Sequence, residues 1–405
     1  MIPFSPPRMD DKIVDAVTKT LRSGWITTGP QTKTFEKEIT NYCGNKKTIC
    51  LSAWTTAAEL LLRWFGVGKG DEVIIPAYTY AATANVVVHT GAKPVMVDIN
   101  VSDFNINTEA VRKAITAKTK VIMPVDIGGF PCDYKALMEM VQSEEVKAKF
   151  RANTEEQKML GRILVFADAA HSFGARLSGK VSGSFADVSG FSFHAVKNLT
   201  TAEGGALAFN LPEPFDHEEI YKQLNIKSLH GQTKDALAKS QVGNWKYDIV
   251  EAGYKCNMTD IQAAIGLTEL HRYDTESLPR RKAIFDLYDR GFENDERFIR
   301  PVHTTEEKTS SYHLYSLRIA GATEDQRDEI IQHIFEAGVS VNVHFVPLPL
   351  FTFYKSMGYD IGDYPNAYSQ FSKVISLPVY FDLTDAQVAQ VIDAVKSATA
   401  KVLSR

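Results

Sequence analysis

Cysteine is scarce in this chain, with only four among 405 residues. The four are scattered and lack the close pairing of metal-binding cysteines: Cys43, Cys50, Cys132 and Cys256. A disulfide framework is therefore not expected, and reduced thiols in a cytoplasmic protein are the default. No metal site is expected either, because no cluster of ligating residues has metal-type spacing.

The chain also lacks an excess of basic residues and any long apolar run. Its formal net charge is −4, so we expect neither a nucleic-acid surface nor a polybasic membrane patch. The longest apolar runs have only the length of a strand, too short for a membrane span. The first residues have no basic region followed by an apolar one, so no signal peptide is predicted.

What the sequence does have is an ordinary globular composition, 44% hydrophobic and 23% charged. Apolar runs of strand length alternate with amphipathic helical stretches in the first half. Strands are predicted at 48–51, 72–75, 94–98, 120–124, 163–167, 188–193 and 205–209, and helices at 57–65, 82–90 and 108–115. This alternation predicts an α/β fold with a mostly parallel sheet flanked by helices on both faces. Ligands of such sheets bind at the carboxyl ends of the strands.

The pattern changes twice along the chain, which predicts three parts. Residues 1–30 read as an N-terminal helix followed by a loop, residues 31–277 as the large α/β domain, and residues 278–405 as a smaller α+β domain. Within the last part we expect strands at 314–319 and 339–344 and helices at 324–336 and 384–402. The charged stretch 142–158 is interpreted as a solvated surface excursion without a function.

A lysine beyond the end of a strand is the most informative residue. Lys197 lies five residues after Ser192 and just before a turn rich in Thr and Gly. A surface lysine that opens a loop fits the strand pattern as well as a buried one does. In the buried case the pKa of the amine falls, and a neutral amine can form a Schiff base with an aldehyde cofactor.

A carboxylate follows another strand. Asp168 stands at the carboxyl end of the run 163–167, and His171 comes three residues later. An aspartate in this position commonly caps a turn. It can instead pair with a pyridinium nitrogen and keep that nitrogen protonated, which makes the ring an electron sink.

Small polar residues begin the helix after the first strand. Ser52, Thr55 and Thr56 lie where free backbone N–H groups and the helix dipole could bind a phosphate. Simple N-capping is the alternative. Tyr80, after the next strand, could stack on a flat ring or be a core tyrosine.

A lysine amine, a carboxylate, a stacking aromatic and a phosphate cradle would thus meet at the strand ends of one sheet. A polar loop that contains Lys255 and Asn257 could also reach a phosphate. This combination is what a pyridoxal 5'-phosphate enzyme needs.

Five motifs occur along the chain: Ser23-Gly-Trp-Ile-Thr-Thr-Gly-Pro30, Gly70-Asp-Glu-Val-Ile-Ile-Pro76, Gly91-Ala-Lys-Pro-Val-Met-Val-Asp98, Asp168-Ala-Ala-His171 and Ser192-Phe-His-Ala-Val-Lys197. Through these motifs, in this order, the sequence resembles the DegT/StrS-type sugar-nucleotide aminotransferases. These are fold-type I pyridoxal phosphate enzymes of the aspartate aminotransferase superfamily. The resemblance extends from about Phe4 to the C-terminal helix.

The resemblance implies a role for each candidate residue. Lys197 would be the Schiff-base lysine and the proton carrier, and Asp168 the pyridinium partner. The remaining cofactor contacts would be Tyr80 on the ring, His171 beside the cofactor, and Ser192 with the backbone at Thr56 and Ala57 on the phosphate. Lys255 or Asn257 of the neighbouring subunit would complete the phosphate site, so the resemblance implies a homodimer with a shared active site.

Two positions depart from the family pattern. Thr55 replaces a glycine, so the turn there cannot use a positive φ. The cross-subunit loop reads Lys255-Cys-Asn257 in place of Asn-x-Arg. The second variant resembles the branch that aminates C4 of nucleotide-linked 4-keto sugars, and it leaves the identity of the phosphate ligand open.

The implied function is transamination of a nucleotide-diphosphate-linked keto sugar, such as a 4-keto-6-deoxy sugar, with L-glutamate as the amino donor. The product would be an amino sugar nucleotide for glycan or polysaccharide biosynthesis. Expected sugar contacts are Trp25, Thr27, Gly29 and His344, although a buried structural histidine would fit His344 equally well. The alternatives are a 3-keto sugar aminotransferase, a sugar dehydratase, and a catalytically silent regulator of the same fold.

Overall fold

The structure, a computed structural model, describes residues 1–234 and 246–404. Its strands are, in chain order, β1 (Lys47–Leu51), β2 (Glu72–Pro76), β3 (Lys93–Val97), β4 (Thr119–Ile122), β5 (Leu164–Asp168), β6 (Arg176–Leu177), β7 (Lys180–Val181), β8 (Val188–Ser192), β9 (Gly205–Phe209), β10 (Phe298–Ile299), β11 (Lys308–Thr309), β12 (Tyr315–Ile319) and β13 (Val374–Leu377).

The helices that surround these strands are α1 (Asp11–Arg22), α2 (Pro30–Cys43), α3 (Trp54–Trp64), α4 (Ala81–Thr90), α5 (Thr108–Ala114), α6 (Tyr134–Gln142), α7 (Glu144–Lys149), α8 (Glu155–Leu160), α9 (His217–Ser228), α10 (Asp260–Leu270), α11 (Leu278–Phe292), α12 (Glu324–Glu336), α13 (Thr352–Ser356), α14 (Pro365–Phe371) and α15 (Asp385–Leu403).

Seven strands form the central sheet, in the order β1-β9-β8-β5-β4-β2-β3. The pairs β2–β3, β2–β4, β4–β5 and β5–β8 are parallel, whereas β9 is antiparallel to its neighbours β8 and β1. The predicted α/β fold with a mostly parallel sheet is therefore confirmed.

The central strand β5 shows that both faces of this sheet are covered. All five of its residues are buried. Leu164 and Phe166 pack into one apolar cluster, and Val165 and Ala167 into another. Successive side chains of a strand point to opposite faces, so the continuous apolar run is the pattern of a strand between two helix layers.

A second sheet, β10-β12-β13, lies in the C-terminal part of the chain and is antiparallel. It shares an apolar cluster with α11, α12 and α15, which includes Tyr288, Tyr315, Ile330 and Val391. The helix α11 begins at Leu278. The domain boundaries that the sequence predicts at residues 30 and 277 stay predictions.

One local prediction from the sequence is wrong. Residues 339–344 form no strand, because only Val339 and Asn342 make isolated bridges, to Ile2 and Ser376. The stretch 142–158 lies mostly at the surface, as expected. It forms α7 and α8, and the amide of its buried Gln157 donates to the Phe65 carbonyl.

Candidate active site

The ends of β5 and β8 lie beside a cavity of about 350 Å³. This volume is within the range of small-molecule and cofactor sites. Seven of the residues singled out in the sequence line the cavity: Thr55, Tyr80, Asp168, His171, Ser192, Lys197 and His344. They come from five separate stretches of chain, and the fold brings them together because parallel strands end at one edge of the sheet.

Lys197 lies in the turn between β8 and β9, where its N–H donates to the His194 carbonyl at 2.9 Å. Two backbone hydrogen bonds of 2.9 Å close the turn, from the Phe193 N–H to the Gly204 carbonyl and from the Thr201 N–H to the Phe193 carbonyl. Burial lowers the pKa of Lys197 to about 8, against an opposing effect of Asp168. A lysine with this pKa holds a substantial neutral fraction near pH 7 to 8, which is the form that forms a Schiff base.

Asp168 is the last residue of β5 and is 4% exposed. Its Oδ2 accepts from the Thr83 hydroxyl at 2.9 Å, and its Oδ1 from the Ala170 N–H at 3.3 Å. Burial raises the pKa of Asp168 to about 7, while these bonds and Lys197 oppose the shift. Among the described residues, Asp168 forms no ion pair within 4.0 Å, although the Lys197 charge acts on it from farther away. Its carboxylate could therefore receive a cationic group of a ligand.

The amino end of α3 borders the same cavity through Ala53, Trp54 and Thr55. Its N-cap residue, Ala53, provides no side-chain hydrogen bond. Within the described residues, no hydrogen bond uses the N–H groups of Trp54, Thr55 and Thr56, whereas the Ala57 N–H donates to the Ala53 carbonyl at 3.1 Å. The free donors are those an anion could accept from.

The helix start approaches the sheet closely at Gly205, the first residue of β9. A Cβ at this position would come within 2.4 Å of the Ala53 and Trp54 backbone. Glycine is therefore required there, and the free N–H groups of α3 are held near Ser192, the β8 residue that pairs with Gly205. The Ser192 hydroxyl accepts from the His194 N–H at 3.5 Å.

Aromatic rings form the walls of the cavity. Tyr80, the N-cap residue of α4, is 65% exposed, and its ring centroid lies 5.9 Å from that of Phe345. His171 stacks on Phe345 at 5.7 Å with an interplanar angle of 20°. An exposed ring at the cavity edge is free to stack on a flat ligand.

His344, from the C-terminal part of the chain, also lines the cavity. Its Nδ1 lies 3.1 Å from the Ser376 hydroxyl, and its ring stacks on Phe4 with centroids 5.4 Å apart. Burial lowers the pKa of His344 to about 4, and Lys197 contributes. The ring is therefore neutral near pH 7.

The other predicted site residues do not line the cavity of this single chain. Asn257 donates to the Thr28 hydroxyl at 2.6 Å and accepts from the Lys255 ammonium. The loop 255–257 therefore packs on the segment 23–30. The remaining members of this group are Thr56, Ala57, Trp25, Thr27 and Gly29, of which Ala57 is fully buried and Thr27 exposed.

Asp260 anchors that segment. It is 1% exposed and accepts from the N–H groups of Gly29, Gln31 and Thr32 and from the Thr32 hydroxyl, at 2.7–3.0 Å. Its own N–H donates to the Thr27 carbonyl at 3.1 Å. This clamp fixes the loop that the sequence assigned to the sugar pocket, and nothing in the local pattern of residues 23–30 predicts it.

Sequence reasoning missed several lining residues, among them Phe4, Thr83, His313 and Phe345. Thr83 follows Tyr80 by three residues, and one helical turn places such a pair on the same face, so this signal was available. His313 precedes the predicted strand 314–319 directly. Only the tertiary fold places it next to His171, at 4.4 Å between ring centroids.

These residues fit pyridoxal phosphate. Lys197 would hold the aldehyde carbon, Asp168 would meet the ring nitrogen, and the free N–H groups at Thr55 and Thr56 would meet the phosphate. The fit rests on the buried carboxyl of Asp168, which forms no ion pair with any residue that the structure describes. Across the described ranges, no group of three or more His, Cys, Asp or Glu residues is placed to hold a metal ion. No helix there is long and apolar enough to cross a membrane.

Comparison with known families shows the family of this chain. The model of the DegT/DnrJ/EryC1/StrS aminotransferase family matches residues 7–150 and 155–396. Two curated relatives cover nearly the whole chain. An uncharacterized protein of Methanocaldococcus jannaschii is 39% identical over 98% of this chain and 97% of its own length. The spore coat polysaccharide biosynthesis protein SpsC of Bacillus subtilis strain 168 is 35% identical over 98% of this chain and 96% of its own length.

A solved structure agrees with these matches. A protein of Streptococcus pneumoniae, provisionally named a sugar aminotransferase, was solved in a PMP form and in a PLP form. The PMP form is 49% identical to this chain, with a TM-score of 0.95, over 99% of this chain and 100% of that one. The fold around the cavity is therefore shared with a protein that has been seen with both states of the cofactor.

Proposed function

The chain belongs to the DegT/DnrJ/EryC1/StrS aminotransferase family and is a pyridoxal phosphate-dependent aminotransferase, and on this premise we propose that it aminates a sugar. The acceptor we propose is a nucleotide-diphosphate-linked keto sugar, and the amino donor is L-glutamate. The observation that carries the proposal is the meeting of Lys197 and Asp168 in one cavity.

The bound cofactor would supply an electron sink that stabilises a carbanion next to nitrogen. The chain supplies the proton transfer. The pKa of Lys197 is lowered to about 8, near the working pH, so its amine can both accept and donate a proton. It would take the proton from the α-carbon of the amino donor and deliver it to the aldehyde-derived carbon of the cofactor. Asp168 would hold the proton on the ring nitrogen.

The relatives favour a sugar substrate. The name of the Bacillus subtilis relative places it in spore coat polysaccharide biosynthesis, and the Streptococcus pneumoniae structure carries a sugar aminotransferase name. We therefore propose a role in making amino sugars for a glycan or a polysaccharide, in the cytoplasm. A lysine at position 197 supports transamination over the dehydration reaction of relatives that carry histidine there.

A spectral titration tests the substrate class. The pyridoxamine form of the protein is mixed with dTDP-, UDP- and GDP-linked 4-keto-6-deoxy sugars, with 3-keto isomers as the matched set. We expect the absorbance of the aldehyde form of the cofactor to return rapidly with a 4-keto sugar. Mass spectrometry of the sugar nucleotide should then show that an amino group has replaced the keto oxygen. Reaction with only a 3-keto sugar would move the site of amination to C3. Loss of water without nitrogen transfer would identify a dehydratase, and no response to any sugar would refute the proposal.

We further propose that the active site is shared between two subunits. The loop 255–257 packs on residues 23–30 outside the cavity of its own chain, which leaves both segments available to a partner. The test mixes the variant Lys197→Ala with the variant Asn257→Ala after joint unfolding and refolding. Because one of the two sites in a mixed dimer then keeps both native residues, activity should reappear. If it does not reappear, the sites are not shared through Asn257, and the same mixture with Lys255→Ala examines the other candidate.

A further inference from the structure

A side chain adjacent to Lys197 orients a histidine of the cavity wall. The Asn198 amide Nδ2 donates to the Ser311 carbonyl at 2.7 Å and lies 3.3 Å from the Tyr273 hydroxyl. The Asn198 Oδ1 lies 2.8 Å from Nδ1 of His313. Asn198 and His313 are 8% and 6% exposed, so these contacts are sheltered from competing water.

These contacts define which way the Asn198 amide points. A carbonyl oxygen can only accept, so the nitrogen of the amide must face Ser311. The Tyr273 hydroxyl donates to the Phe173 carbonyl at 2.6 Å, which leaves its lone pairs for the same nitrogen. The amide oxygen is thereby turned toward His313, and an oxygen there requires a proton on Nδ1.

Burial, reinforced by the neighbouring His171, Lys197, Arg281 and His344, holds the pKa of His313 well below its usual value. None of these four groups is a carboxylate that could stabilise a second proton. The ring is therefore neutral near pH 7, and a neutral ring with its proton on Nδ1 carries a lone pair on Nε2.

His313 lines the cavity, and its Nε2 atom is accessible. Among the described residues it has no hydrogen-bond partner, and it is not one of the fully enclosed polar atoms. The neighbouring His171 is the opposite case. Its Nδ1 accepts from the Gly128 N–H at 3.3 Å, so its proton lies on Nε2 and that atom is a donor. The two rings thus offer one acceptor and one donor side by side.

We propose that Asn198 is a positioning residue that holds His313 as the Nδ1–H tautomer, so that Nε2 accepts a hydrogen bond from a hydroxyl group of the sugar substrate. A carboxylate of the amino donor has only lone pairs and would be repelled by this atom, whereas a sugar hydroxyl can donate to it. The tautomer follows from the chain alone, and the identity of the hydroxyl rests on the function proposed above. His313 is therefore expected to bind a hydroxyl of the sugar rather than a carboxylate of the amino donor.

The tautomer is measured without any substrate. Long-range proton–nitrogen correlation spectra of the cofactor-bound protein, labelled with nitrogen-15 at histidine, distinguish a protonated nitrogen from a bare one, and His313→Gln assigns the signal. We expect protonated Nδ1 and bare Nε2. The variant Tyr273→Phe, which keeps the Ser311 contact, should leave the pattern unchanged. A proton on Nε2 of wild-type His313 would overturn the proposal.

The variant Asn198→Asp keeps the size and the acceptor oxygen that faces His313, while it adds a charge and replaces the Nδ2 donor to Ser311 by an oxygen. The carboxylate should raise the pKa of His313, and the nitrogen signals should show the ring taking up a proton at a higher pH than in the wild type. Below that pH Nε2 is no longer an acceptor. The acidic limb of kcat/KM for the sugar should therefore move to higher pH. A purely structural role would leave this limb in place.

Half-reactions show which substrate His313 serves. In single-turnover experiments on His313→Phe, we expect about a 10- to 100-fold loss of kcat/KM with dTDP- or UDP-linked 4-keto-6-deoxyhexoses. The rate with L-glutamate should change less than about threefold. Equal losses in both half-reactions would overturn the role toward the sugar. If the wild type accepts no sugar at all, the proposed function fails and the hydroxyl assignment with it, while the nitrogen spectra decide the tautomer independently.

Discussion

The Thr83 hydroxyl donates a hydrogen bond of 2.9 Å to Oδ2 of Asp168. Since that proton is used on Asp168, the Thr79 hydroxyl, 2.9 Å away, must donate to Thr83 in turn. Thr79, just before α4, and Thr83, in its first turn, thus support the carboxylate at the end of β5. This bond opposes the burial that raises the pKa of Asp168 to about 7, so it helps to keep the group ionised.

Replacement of Thr83 by valine should weaken catalysis without unfolding the protein, because valine has nearly the shape of threonine. Loss of the bond raises the pKa of Asp168 further, and the carboxylate holds the ring nitrogen's proton less well. We expect kcat to fall about 10-fold, the equivalent of one hydrogen bond to a charged group. The variant Thr83→Ser keeps the hydroxyl and should restore the rate. Equal rates for serine and valine would show that the bond is without effect.

Replacement of Lys197 by alanine should abolish turnover and the visible absorbance of the lysine-bound cofactor. The amine is both the anchor and the proton carrier, and no other described lysine lines the cavity. Absorbance spectra and a glutamate-dependent assay measure the two effects. A small external amine should restore a little activity, because it replaces the proton carrier. The variant Lys308→Ala, whose ammonium bonds the Pro131 carbonyl, is the control and should keep the spectrum.

Stability of the cofactor-free protein should depend on pH through Asp168. Burial raises the pKa of Asp168 in the folded protein to about 7 from its ordinary value of 3.8, so between about pH 4 and 7 the native state binds more protons than the unfolded state. Unfolding free energy from this group therefore falls as pH rises through that window, by at most about 1.4 kcal/mol per pH unit. Thermal unfolding of wild type and Asp168→Asn at pH 5 and 8 measures it. The stability of Asp168→Asn relative to the wild type should be higher at pH 8 than at pH 5. An equal stability difference at the two pH values would contradict the linkage.

Asp260→Asn should loosen the segment 23–30. Asp260 accepts four hydrogen bonds, and asparagine has an NH₂ group in place of one of the two carboxylate oxygens. This NH₂ group would face a backbone N–H, so that at least one donor loses its partner. We expect the free energy of unfolding to fall by about 1–3 kcal/mol, as measured by urea denaturation. Asp385→Asn alters an exposed ion pair with Arg280 and should change it by less than about 1 kcal/mol. If the free energy of unfolding of Asp260→Asn fell as little as that of Asp385→Asn, the hydrogen bonds of Asp260 would not stabilise this loop.

Much of the fold was predictable from the sequence. The seven strands of the central sheet appear within one or two residues of their predicted bounds, because a continuous apolar run between two helix layers is a strong signal. The helix α2 was missed, although proline begins it and Gly44 ends it with φ at +68°. The strand predicted at 339–344 was wrong, because this segment makes only two isolated bridges, to Ile2 and to Ser376.

By itself, the sequence determined the chemistry that is available: a lysine, an aspartate and a helix start at successive strand ends, and motifs that resemble a known family. The tertiary structure alone decided which residues meet. It joined Thr83 to Asp168 and Asn198 to His313, pairs that are 85 and 115 positions apart. It also placed the loop 255–257 on the segment 23–30 rather than in the cavity. Local patterns record the period of a helix or a strand, whereas such long-range contacts depend on how whole layers pack.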